Sequence, residues 1–193
     1  MRIIMKTKII TMVAMLMLLL ASQVQAIDVD FYSDATIGSG DVYDWVYVYD
    51  TPPDYTIVDM YDGSVFVFVT YDSSTVNIYG GELEWGIVAY ELSTVNIYDG
   101  TILIDNPLFG DSSTVNIYGG DIRLGAPSFD EFATLNIYGY DFNYNGFTLT
   151  GFLSDDSPFE FIEIYPSDYA HINLIPEPAT ILLFGLGALI LKA

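Results

Sequence analysis

The chain has 193 residues, of which 26 are Asp or Glu and five are Lys or Arg, for a formal net charge of −21 at pH 7. So acidic a surface repels nucleic acid and anionic polysaccharide, which excludes both as direct partners and leaves cations, neutral glycans and basic proteins. There is no cysteine, so disulfides and thiolate metal sites are excluded, and stability has to come from burial and backbone pairing.

The first segment in chain order is a leader. Arg2, Lys6 and Lys8 form a basic stretch, residues 9–20 an apolar run, and residues 21–26 a small-residue stretch ending Val24-Gln25-Ala26. This pattern predicts a secretory signal peptide (1–26) cleaved after Ala26. A retained N-terminal anchor is the alternative, and the shortness of the apolar run speaks against it. Between positions 27 and 175 the charge is extreme. Arg123 is the only Lys or Arg there, and it faces 25 acids, because of the 26 only Glu177 lies outside. The 16 Tyr and 12 Phe supply burial and argue against the disorder that charge alone would suggest.

Residues 27–55 carry the alternating stretch VYDWVYVY (42–49) and the turn Pro52-Pro53-Asp54, and are expected to be strands that cap a repeat beginning at Thr56. That repeat occupies residues 56–144. Four copies of one octapeptide read STVNIYGG (74–81), STVNIYDG (93–100), STVNIYGG (113–120) and ATLNIYGY (133–140), with a degenerate fifth, TIVDMYDG (56–63). Their asparagines, Asn77, Asn96, Asn116 and Asn136, are 19, 20 and 20 residues apart. A fixed period near 20 in β-rich units is the signature of a solenoid.

Within each unit Val76 and Ile78 share one face, while Thr75, Asn77 and Tyr79 share the other. A glycine bend comes next, then a second alternating stretch whose apolar pairs are Val65/Val67, Leu83/Trp85, Ile102/Ile104, Ile122/Leu124 and Phe142/Tyr144. Stacking the units places Val58, Val76, Val95, Val115 and Leu135 in one buried column with rungs about 4.8 Å apart. The fold class predicted is therefore all-β, a parallel β-helix of right-handed winding with β caps. An antiparallel sandwich of hairpins also uses short strands and glycine turns, but it has no reason to keep near-identity at this period. Residues 145–175 read as a C-terminal β cap: a hairpin around Ser154-Asp155-Asp156-Ser157-Pro158, then a last strand, HINLI.

The final segment (176–193) begins Pro176-Glu177-Pro178 and continues with the apolar run ATILLFGLGALIL (179–191) before Lys192. The prolines end the preceding domain. The run is short of the roughly 20 residues that span a bilayer comfortably. Together the tripeptide, its spacing and the glycine-containing hydrophobic helix resemble the sorting signal of PEP-CTERM proteins, also called the ice-binding protein C-terminal domain. The resemblance covers residues 176–193, and the tandem TVNIYGG pattern is similar to β-helical bodies in some members. It implies an exosortase-type membrane protease as partner, transient insertion in the inner membrane through the tail, and delivery to the envelope, surface or extracellular matrix of an outer-membrane bacterium. It also implies an association with exopolysaccharide. The family usually ends in an arginine-rich cluster, and here only Lys192 stands, which weakens retention by the positive-inside rule.

Two outer columns are candidate ligand surfaces. Asp59, Asn77, Asn96, Asn116 and Asn136 align, as do Tyr61, Tyr79, Tyr98, Tyr118 and Tyr138. Stacked amides and rings are the ordinary structural furniture of such a stack. The functional alternative is a Tyr/Asn strip that docks neutral polysaccharide or a second copy. The Thr75, Thr94, Thr114 and Thr134 column suggests ice binding only weakly, since a regular ice-matching face would lack large rings. Two positions before each unit stands an acid: Asp54, Asp72, Glu91, Asp111 and Glu131. These either splay into solvent or bridge weakly bound Ca²⁺ between rungs. No other cofactor is expected.

Catalytic signals are thin. His171 is the only histidine, and there is no phosphate loop, HExxH or EF-hand loop. β-Helical lyases need basic residues at a uronate, and Arg123 is alone. The reading is a non-enzymatic exported repeat protein, with a glycan-binding adhesin as first alternative and a carbohydrate-active β-helix enzyme as second.

Overall fold

The computed structural model describes residues 26–130 and 132–176. The expected signal helix and C-terminal hydrophobic helix, with Glu177, Pro178 and Glu131, lie outside the described residues. Among the described residues no helix is long and apolar enough to cross a membrane.

The body is a β-solenoid of about six turns. Three parallel ladders run along it. The first joins β2 (Ala35–Ile37), β4 (Ile57–Met60), β6 (Thr75–Ile78), β8 (Thr94–Ile97), β11 (Thr114–Ile117), β14 (Thr134–Tyr144) and β17 (Ile172–Pro176). The second joins the first halves of β3 (Val42–Val48), β5 (Ser64–Thr70) and β7 (Glu82–Ala89) to β9 (Thr101–Ile104), β12 (Asp121–Gly125) and β16 (Pro158–Ile162). The third joins β1 (Ile27–Phe31), the second halves of β3, β5 and β7, then β10 (Leu108–Phe109) and β13 (Ser128–Phe129).

Register is strict where the octapeptide repeats. Val58, Val76, Val95, Val115, Leu135 and Ile172 pair in succession, as do Met60, Ile78, Ile97, Ile117 and Ile137. All are buried. Each such side chain contributes about 1.5–3 kcal/mol by leaving water. The second face adds Val65, Leu83, Ile102, Ile122 and Phe159, and the third adds Phe68, Ile87 and Phe109, so one continuous core fills the coil.

The bend between the first two faces requires glycine. Gly81 and Gly100 have φ of +90° and +117°, and a Cβ on them would sit 2.8 Å and 3.0 Å from the carbonyl oxygens of Gly63 and Gly81. A left-handed backbone and a close approach to the preceding coil both exclude side chains here.

The same rule explains where the repeat stops. The fourth octapeptide has Tyr140 where the others have Gly81, Gly100 and Gly120. Without that bend β14 runs on for 11 residues to Tyr144 and pairs antiparallel with β15 (Leu149–Leu153). Phe142 and Tyr144, expected as a further rung, are instead half-buried on a strand of this hairpin. The rung opposite β12 is β16, reached from β15 through the turn at residues 154–157. A short helix α1 (Pro166–Tyr169) then leads to β17. Residues 158–162 and 172–175, read as cap, thus pair as parallel rungs, and β15 adds Leu149 and Leu153 to the core.

Residues 27–55 also pair as rungs. β1 lies parallel to β3, and β2 parallel to β4. Trp85 departs from its expected inward place. Between Val65/Leu83 and Val67/Gly86 the register slips, a β-bulge that turns Glu84 and Trp85 outward and sets Gly86 inside. Trp85 stacks on Phe66 instead, with ring centroids 5.8 Å apart.

Candidate functional site

The outer side of the first ladder carries two unbroken columns. In one, the Asn77 Nδ2 donates to Asp59 Oδ1 at 2.8 Å, Asn96 to Asn77, Asn116 to Asn96 and Asn136 to Asn116, each at 2.8 Å. Asn173 closes the series by donating to Asn136 at 2.9 Å. The chain of bonds has a direction, since every amide donates toward the N-terminal coil. Its first member only accepts, which is why Asp59 can stand there. Asn173 is not evident from the period, because α1 and the hairpin separate it from the other copies. Its signal is local, for His171-Ile172-Asn173-Leu174 repeats the Thr-Val-Asn-Ile pattern.

In the other column Tyr61, Tyr79, Tyr98, Tyr118 and Tyr138 stack face to face, with centroids 5.0, 4.9, 4.9 and 4.3 Å apart and planes 6–19° from parallel. The spacing is that of the rungs. The interior rings therefore show solvent their edges and hydroxyls, while their faces cover one another. Burial, then the Tyr138 hydroxyl bonded to it and the neighbouring Tyr138 and Tyr98, push the Tyr118 phenol up to about 12.

A second tyrosine ladder lies outside the octapeptide, where repeat matching does not reach. Tyr32, Tyr49, Tyr71 and Tyr90 stack at 5.2, 4.9 and 5.5 Å. Its sequence signal is a tyrosine directly before an acid at 49–50, 71–72 and 90–91. Burial and the adjacent tyrosines raise the Tyr49 and Tyr71 phenols as well.

Beside this second ladder runs the acid column, in altered membership. Asp72, Glu91 and Asp111 occupy it with φ near +57°, +59° and +52°. Each backbone N–H is met by the carboxylate one coil on: Asp72 N–H donates to Glu91 at 2.6 Å, Glu91 N–H to Asp111 at 3.2 Å, and Asp111 N–H to Asp130 at 3.3 Å. At the other end Asp50 N–H donates to Asp72 at 3.3 Å. Asp50, not Asp54, is thus the first member, and it also accepts from the N–H groups of Thr56 and Ser73. Counting back from Thr56 points to Asp54 because Pro52-Pro53-Asp54-Tyr55 loops out of the coil, closed by a bridge between Thr51 and Asp54. Asp54 lines an open cleft of about 660 Å³ between this loop and the column. Among the described residues no three acids or histidines converge closely enough to hold a metal ion. The carboxylates of Asp72, Glu91 and Asp111, for which solvent exposure and Ca²⁺ bridging are the two sequence readings, accept from backbone amides.

His171 stacks on Phe129 at 5.1 Å, and its Nδ1 lies 3.0 Å from the Ala133 carbonyl oxygen. Arg123 is exposed and sits in register beside Glu160. Thr75, Thr94, Thr114 and Thr134 are in register and half-buried. Ala26 immediately precedes β1, and Pro176 ends β17. Inside the corner, Ser74, Ser93 and Ser113 are fully buried, and Ser113 Oγ has no hydrogen-bond partner among the described residues. No protein-family model matches this chain, and neither curated proteins nor solved structures give a significant match.

Two outcomes are expected. Asn96→Asp removes a donor and sets a carboxylate against the Asn77 oxygen, so it should cost about 1–3 kcal/mol in a urea titration at pH 7. Asp59→Asn, at the accepting end, should shift the midpoint by far less, and equal losses would contradict a directional ladder. Burial in the ladder raises the Tyr118 phenol, so the folded state holds its proton more tightly than the unfolded chain. Its contribution to stability is complete below about pH 10 and lost as pH rises through about 12. Tyr118→Phe should flatten the fall in melting temperature across that window, and an unchanged slope would contradict the assignment.

Proposed function

We propose that the chain is an exported structural repeat protein without enzymatic activity, sorted through a PEP-CTERM tail to the cell surface or extracellular matrix and associated there with exopolysaccharide. One observation carries the structural part: the outer columns satisfy themselves. The amides bond to one another from Asp59 to Asn173, and the ladder rings cover each other's faces. Aromatic recognition of a sugar needs an open ring face. Here the strip offers edges. The sorting part is supported by the basic and apolar leader and by Pro176-Glu177-Pro178 before the apolar run.

A second reading, a neutral-glycan adhesin, is favoured by the hydroxyl edges of Tyr79 and Tyr98, each 39% exposed in a straight row. Passing the protein over immobilised neutral polysaccharides separates the two. The structural reading predicts no retention and no release of reducing sugar. Retention that disappears in the Tyr79→Phe/Tyr98→Phe variant would establish the adhesin instead, and sugar release would establish an enzyme. Mass spectrometry of the protein from its host should find Ile27 at the N-terminus and a shortened C-terminus. Every molecule ending at Ala193 would rule out processing of the tail.

A further inference from the structure

We propose that the tyrosine ladder is an oxidative modification site, where tyrosines of adjacent coils join covalently as dityrosine under a peroxide-driven one-electron oxidant. This goes beyond the structural role and does not depend on where the protein is delivered. The chain has no cysteine, so a disulfide cannot lock one coil to the next. The ladder offers a different staple. Its ring centroids lie 4.3–5.0 Å apart from Tyr61 to Tyr138, with planes 6–19° from parallel, so the ortho carbons of each ring face the neighbouring ring. Tyr61, Tyr79 and Tyr98 are 56%, 39% and 39% exposed, so a diffusing or enzyme-borne oxidant reaches their edges.

The chemistry balances with hydrogen peroxide as oxidant and a haem peroxidase as its carrier. Two phenols each give up one electron and one proton. The two phenoxyl radicals form one C–C bond between ortho carbons, and the hydrogen on each of those carbons moves to oxygen to restore the phenol. The O–O bond of one peroxide breaks, takes up both electrons and both protons, and leaves as two waters. A radical formed at an exposed ring can pass to its stacked neighbour before coupling, which concentrates product within the ladder. Each link would close a loop of 18–20 residues, restricting the unfolded chain as a disulfide of that span does. Tyr49 and Tyr71, at 4.9 Å and 2° from parallel, form an equivalent pair in the second ladder.

The test treats the dilute full-length protein with a haem peroxidase and hydrogen peroxide, then cleaves at the acids that separate the rungs. Mass spectrometry then maps peptides joined with loss of two hydrogens. Expected are Tyr79–Tyr98, Tyr98–Tyr118 and Tyr118–Tyr138 within single molecules, in a yield per molecule that does not change on tenfold dilution. Tyr98→Phe keeps the stack but cannot form the radical there. It should lose both pairs containing position 98 and keep Tyr118–Tyr138, while Tyr118→Phe should keep Tyr79–Tyr98. Links dominated by Tyr55, 71% exposed and in neither ladder, would overturn the proposal. So would links found only between molecules, or a pattern unchanged in both variants.

Discussion

The structure depends on one constraint: in a parallel, in-register stack each side chain meets its own counterpart one coil away. That rule sorts residue types. Valine and isoleucine gain from meeting themselves, and their columns form the core. Asparagine gains too, because an amide is both donor and acceptor and can continue a chain of bonds indefinitely. Tyrosine stacks at the rung spacing. A carboxylate repels its own image by roughly 0.8 kcal/mol at 5 Å in water and about 3 kcal/mol at an effective dielectric near 20.

The acid column persists because the backbone answers it. At Asp72, Glu91 and Asp111 a left-handed residue lets its N–H meet the carboxylate of the following coil. Amide dipoles thus separate the charges. Asp155 works similarly outside the column. Burial alone would raise its carboxyl, but bonds from Ser157 and the Gly120 N–H together hold it below the ordinary range. Its contribution is therefore present above the usual carboxylate value and lost as pH falls through its own lower one.

Much of this is legible in the sequence, because identity at a period of 20 has few other causes. The strand faces, the glycine bends and the Asn and Tyr columns come from alternation and spacing alone. The features that the repeat does not announce lie where the period is interrupted. Pro52–Tyr55 inserts a loop, so counting along the chain leads to Asp54 where the coil uses Asp50. Tyr140 replaces a glycine, so a straight strand and hairpin stand in place of a bend. The bulge at Glu84–Trp85 adds a residue that alternation cannot foresee, and it turns a tryptophan outward. β1, β2, β3, β16 and β17 pair as rungs without the octapeptide, since backbone pairing requires only an inward apolar residue at every second position.

If self-matching between coils holds the fold, whole coils are interchangeable and fractions of a coil are not. Excising residues 94–113 joins Ser93 to Thr114, leaving the three strand ladders and the Asn column each one member shorter but intact. Excising residues 94–103 alone removes β8 and most of β9 but leaves β10, so the three ladders no longer advance together. Thermal unfolding followed by far-ultraviolet circular dichroism measures both. Expected are a cooperative transition and retained strand signal for the full-coil deletion, and loss of both for the half-coil deletion. Two deletions of equal stability would contradict self-matching between coils.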